Sequence, residues 1–211
     1  MTPKKVAAEG SLPQSSLRQL CKAIGDCEIC RQHLPLGPNP VLRVSSSATI
    51  LIAGQAPGIR VHQSSIPFND PSGDRLRQWM GVDKDTFYDS SRIAIVPMGF
   101  CYPGSAERGD LPPRPECART WHPKLIPLLS NIKLTLAIGL YAQKYYLGNK
   151  REKSLTETVA NWQHYQPDMI PLPHPSPRNN IWLKRNPWFQ QTLVPVLAER
   201  VRQSLALYQH L

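Results

Sequence analysis

The chain has 211 residues, 41% of them hydrophobic and 19% charged, and 25 Lys and Arg against 15 Asp and Glu give a net charge of +10. That is enough chain for a sizeable core without disulfide staples, and it is too apolar for a disordered polymer. Its longest apolar stretch, 132–140, is interrupted by Lys133 and falls well short of the ~20 residues of a membrane span.

The basic start, MTPKKVAAEGSLPQ, has no apolar signal region, so a cytoplasmic location is expected. Residues 1–14 lack periodicity and read as a flexible tail, with one domain over 15–211. Leu17, Leu20, Cys21 and Ile24 have helical spacing, with Ser15 or Ser16 to cap and Gly25 to stop. The run 48–53 reads as a buried strand that enters Gly54-Gln55-Ala56-Pro57-Gly58. A helix is expected over 73–80 with Ser72 as cap, and a second strand over 92–96. A proline-studded loop runs to about Pro115, and a helix from there to Ser130 follows, to be kinked or divided by Pro123 and Pro127. Further strands are expected over 134–138 and 169–172, and helices over 141–147 and 154–162. Asn186 and Pro187 open a last helix toward Tyr208, bent at Pro195.

Uniformly apolar strands alternating with helices predict a three-layer α/β/α sandwich around a four-stranded parallel sheet. Functional loops in such folds lie beyond the carboxyl ends of the strands. Three segments qualify: 54–72, 97–115 and 173–186. The net positive charge points to a polyanion, nucleic acid being the commonest, against the alternative of a generic basic surface.

Of the five cysteines, Cys21 lies on the apolar helical stripe and reads as a small buried hydrophobe. Cys27 and Cys30 form a C-x2-C, and Cys101 and Cys117 follow with 15 residues between them. That second spacing is too open for the usual paired zinc ligands, whereas iron–sulfur clusters tolerate uneven spacing. Unrelated buried thiols are the competing reading.

Taken together, the motifs resemble the uracil-DNA glycosylase superfamily over about residues 15–205. GQAPG at 54–58 resembles its first active-site motif, PFNDPSGDRL at 67–76 the base-stacking segment, and HPSPRN at 174–179 the second active-site motif. The spacing Cys27-x2-Cys30-x70-Cys101-x15-Cys117 is similar to the 4Fe-4S ligand set of the iron–sulfur branches, families four and five. The resemblance implies the same α/β/α fold, with a 4Fe-4S cluster on these four cysteines. It implies hydrolysis of the N-glycosidic bond of uracil or another deaminated base in DNA, leaving an abasic site.

By the same resemblance, His174 donates to the carbonyl oxygen of the leaving base, Phe68 stacks the flipped base, and Gln55 and Ala56 contact it. Pro57, Ser176, Arg178 and Asn179 grip DNA. Alternating Pro171, Pro173, Pro175 and Pro177 stiffen the segment around His174. The first motif departs from the family pattern, because Gln55 and Ala56 stand where relatives carry the water-activating carboxylate. Asp70 is the replacement and Asp74 the fallback. Pro97 or Met98 occupies the place of the asparagine that reads uracil, so a broader base range, including hypoxanthine or xanthine, is expected. Two other functions are weighed: a catalytically silent DNA- or lesion-binding protein of the same fold, and an unrelated cysteine hydrolase using Cys101 or Cys117. A monomer is expected.

Overall fold

The computed structural model describes residues 12–107 and 109–206. Helix α1, Leu12–Gly25, begins three residues ahead of Ser15. Pro13 sits in its first turn, where a missing N–H is not needed. Residues 12–14 therefore belong to the helix and not to a tail, and 1–11 lie outside the described residues.

Strand β1, Ile50–Ala53, is fully buried. It is followed by α2, Ile59–Ser64, α3, Pro71–Met80, and α4, Lys84–Tyr88. Strand β2 is Ile93–Ile95. Inside the proline-studded segment lies an antiparallel hairpin of β3, Ser105–Ala106, and β4, Gly109–Asp110. The helix expected from about Pro115 to Ser130 is divided into α5, Pro115–Thr120, α6, His122–Leu125, and a 3-10 turn, Ile126–Leu128, with breaks where Pro123 and Pro127 lack an N–H. Then come β5, Leu134–Ile138, α7, Gly139–Leu147, α8, Leu155–Ala160, and β6, Met169–Leu172. The chain closes with α9, Asn180–Arg185, and α10, Val194–Ala206. A π-turn over Phe189–Leu193 precedes α10. Pro195 cannot donate to the carbonyl four residues back, and the wider turn absorbs that loss where a bend was expected.

Four strands form one parallel sheet in the order β2-β1-β5-β6. Side chains alternate between its faces. Ile50 and Ile52 pack with Leu76, Trp79 and Met80 of α3 and with Leu197 and Val201 of α10. Leu51 packs on the other side with Leu17 and Ile24 of α1 and Leu125 of α6. Both faces are buried, which is why these strands lack polar alternation. The result is a three-layer α/β/α sandwich. Among the described residues no helix is long and apolar enough to cross a membrane.

Candidate active site

A cavity of about 620 Å³ opens at the carboxyl ends of the strands. Gln55, Ala56 and Pro57 line it from the loop after β1, with Phe68 and Asp70 from the approach to α3. His174, Ser176, Arg178 and Asn179 line it from the loop after β6, and Pro97 from the loop after β2. Thus all nine of the sequence-expected catalytic, base-contacting and DNA-gripping residues border one cavity. The fallback carboxylate does not: Asp74 is exposed and paired with Arg77. A second, more open cavity of about 570 Å³ lies beside Leu34–Leu36 and Tyr102–Ser105 and contains none of these residues.

Helix α3 organises the first wall. Its cap is Asp70, not Ser72: Oδ1 of Asp70 accepts from the Gly73 amide at 3.0 Å, and Pro71 takes the first helical position. Proline there favours the preceding residue as cap. Phe68 has φ +56, the left-handed region that few bulky residues occupy. The conformation fits because position 73 has no side chain: a Cβ on Gly73 would lie 1.8 Å from the Phe68 carbonyl oxygen. The Phe68 ring meets Phe87 edge-on, with centroids 6.1 Å apart, so it is seated on the core while bordering the cavity.

The second wall carries His174. Its Nδ1 accepts from the Ser176 amide at 3.2 Å, which places the ring proton of the neutral imidazole on Nε2. Burial pushes its pKa below the ordinary histidine value, and the nearby carboxylates of Asp70 and Asp110 partly oppose that. The loop is tied internally by Asn179, whose Nδ2 donates to His174 O at 2.7 Å, and by Ser176, whose Oγ accepts from the Arg178 amide. Arg75, reaching across from α3, donates to Pro175 O at 3.2 Å, Ser176 O at 3.1 Å and Asn180 Oδ1 at 2.8 Å.

The β3–β4 hairpin spans the mouth between the walls. Gln55 Nε2 donates to Leu111 O at 3.4 Å, and the Asp110 carboxylate lies over Gly58. On the opposite side the Arg178 guanidinium packs on Gly109, where a Cβ would stand 2.8 Å from Nη1. Asp110 also accepts from Ser105 Oγ at 3.2 Å. Arg75, Asp110 and the hairpin were not anticipated from sequence. The only signal was Gly109 followed by Asp110 in a proline-rich stretch, and Arg75 gave none.

The aromatic residues after the second motif anchor the loop. Trp182, Trp188 and Phe189 form an edge-on cluster, and Trp182 Nε1 donates to Thr156 Oγ1 at 2.8 Å. Beneath Pro97, the buried His122 ring donates from Nε2 to Pro97 O at 3.1 Å.

Cys30, Cys101 and Cys117 are buried and Cys27 is half-buried, all as free thiols. Burial pushes the Cys101 thiol up to about 11 and Cys117 to about 12, with further contributions from Cys27 and Cys30 to both and from Cys101 to Cys117. Four thiols from three separate segments therefore converge within electrostatic reach. Cys21 is outside this group and packs beside Leu17 and Ile24. Among the described residues no set of three or more His, Cys, Asp or Glu side chains is placed to hold a metal ion. Thiolates are the donors that iron–sulfur clusters take.

The fold and cavity define an α/β protein with a site at the carboxyl ends of its parallel strands. The model of the uracil DNA glycosylase superfamily matches residues 43–198, and the chain belongs to that superfamily.

Proposed function

We propose that this protein is a DNA glycosylase that hydrolyses the N-glycosidic bond of uracil or another deaminated base and leaves an abasic site. The observation that carries the reading is the state of His174: neutral, with Nδ1 occupied by the Ser176 amide and Nε2–H available in a cavity shared with Phe68 and Asp70. Glycosidic cleavage develops negative charge on the departing base and positive charge on the sugar. A preorganised donor on the base and a carboxylate holding water near the sugar are what that transition state requires. His174 donates from Nε2 to the base oxygen. Asp70 spends Oδ1 on its helix cap and has Oδ2 to hold the water. Phe68 stacks the extruded base, and amides near Gln55 and Ala56 contact it. Pro57, Ser176, Arg178 and Asn179 engage the DNA backbone. Pro97 offers no amide pair to a uracil edge, which supports a range that includes hypoxanthine or xanthine.

The convergence of Cys27, Cys30, Cys101 and Cys117 supports assignment to the iron–sulfur branch. These four would hold a 4Fe-4S cluster, whose contribution is to tie the segment after α1 to the loop after β2. Iron and sulfide analysis of anaerobically purified protein tests this, and stoichiometric zinc would overturn it.

The functional test is single-turnover cleavage of oligonucleotides carrying uracil, hypoxanthine or xanthine, single-stranded and paired, followed by alkali. His174→Ala is expected to lower the rate by about 100- to 1,000-fold, the usual loss for one such donor. Asp70→Asn is expected to fall by orders of magnitude too, and because asparagine caps helices as well as aspartate does, the loss reports on chemistry rather than folding. Undiminished rates in both variants would refute the assignment. One observation favours a second reading, a silent lesion-binding protein: neither Gln55 nor Ala56 is an acid, and Asp70 already has a structural bond. That reading predicts binding of the same oligonucleotides with no product.

A further inference from the structure

The peptide unit joining Pro175 to Ser176 is engaged at both ends. Its N–H donates to His174 Nδ1, and its carbonyl oxygen accepts from Arg75 Nη1, each at 3.2 Å. Two more bonds, to Ser176 O and Asn180 Oδ1, fix the guanidinium in place. A cation on an amide oxygen draws electron density away from the nitrogen and makes the N–H a stronger donor, as linked hydrogen bonds polarise one another in a low-dielectric setting.

We propose that Arg75 is a positioning residue for His174: through the Pro175–Ser176 peptide it holds Nδ1 as an acceptor and keeps the ring proton on Nε2. The inference rests on reading His174 as the donor to the leaving base. The charged surroundings explain why such a device is needed. Asp70 at the start of α3 and Asp110 on the hairpin both favour the imidazolium. Arg178, on the same loop as His174, is directed at Gly109, and at the start of α7 a Cβ added to Gly139 would lie 4.0 Å from the His174 ring. Arg75 opposes the two carboxylates through the peptide. An imidazolium would carry a proton on Nδ1 and would lose the Ser176 bond that orients the ring.

The test is ¹⁵N NMR of the histidine side chains across pH, with His174 assigned by its absence in His174→Gln. The wild type is expected to show the Nε2–H tautomer. Arg75→Gln retains a donor without charge and is expected to raise the His174 titration by about half a pH unit or more, with Nδ1–H signal appearing. Arg75→Lys restores the charge and is expected to recover most of the shift. If Arg75→Gln does not keep the wild-type circular dichroism, Asn180→Ala frees only the outer end of the guanidinium and should give a smaller shift of the same sign. An unmoved His174 spectrum in whichever variant folds would overturn the proposal. The readout needs no substrate. A shifted titration in protein that cleaves nothing would keep the relay and reject the glycosylase reading, whereas an active enzyme whose His174 is indifferent to Arg75 would do the reverse.

Discussion

His122 and His174 are held neutral for different ends. His122 has no exposure, stacks on Phe100 with centroids 5.5 Å apart, and gives its Nε2 proton to Pro97 O. Its Nδ1 is buried without a hydrogen-bond partner among the described residues. Desolvation pulls its pKa down to about 4. In the unfolded chain the value returns to about 6.5. Between those values the unfolded state binds a proton that the native state refuses, so this residue's contribution to stability is full above about pH 6.5 and is lost as the pH falls toward 4. The loss amounts to about 3 kcal/mol. Urea unfolding at pH 7 and pH 4 is expected to show it, and His122→Phe should remove that part of the pH dependence. Equal pH dependence in the two proteins would contradict the account.

At the scale of elements, α3 ties the site together. It seats Phe68 through Gly73, is capped by Asp70, and clamps the His174 loop through Arg75. Gly73→Ala forces a methyl group into the Phe68 carbonyl, and a loss of about 1–3 kcal/mol is expected, in the range of overpacked interiors. Gly25→Ala, where an added Cβ meets nothing within 4 Å, is the control. Thermal unfolding of both variants checks the prediction, and equal melting temperatures would count against the steric argument.

The same elements show what the sequence made legible. Strands β5 and β6 coincide with their expected spans, since continuous apolar runs between turn residues have few other readings. The helices α2, α4 and α9, of five or six residues, are too short to establish a period, and a hairpin of two-residue strands leaves no alternation to detect. The cap moved from Ser72 to Asp70 because Pro71 decides where the helix starts. The cavity wall residues were readable as motifs. Arg75 was not, because its meaning lies in contacts 100 and more residues away.

For the molecule as a whole, the charge of +10 means that association with DNA should weaken as salt rises, by release of condensed counterions. Arg178 borders the cavity and its removal should lower the slope of log affinity against log salt by about one. Binding isotherms at several salt concentrations test this for the wild type and Arg178→Ala, and an unchanged slope would take Arg178 off the DNA contact surface.

The anchoring of three functional parts on one helix also bears on how such a protein can change. Substitutions along α3 should be strongly non-additive, because residues sharing one rigid support couple energetically. On the proposed function, a new base preference reached there would disturb stacking, water placement and leaving-group stabilisation together. The hairpin between Cys101 and Cys117 touches the cavity without belonging to that support. On the proposed function, it is the place where the substrate range can vary with least disturbance to α3, Asp110 excepted because its carboxylate acts on His174.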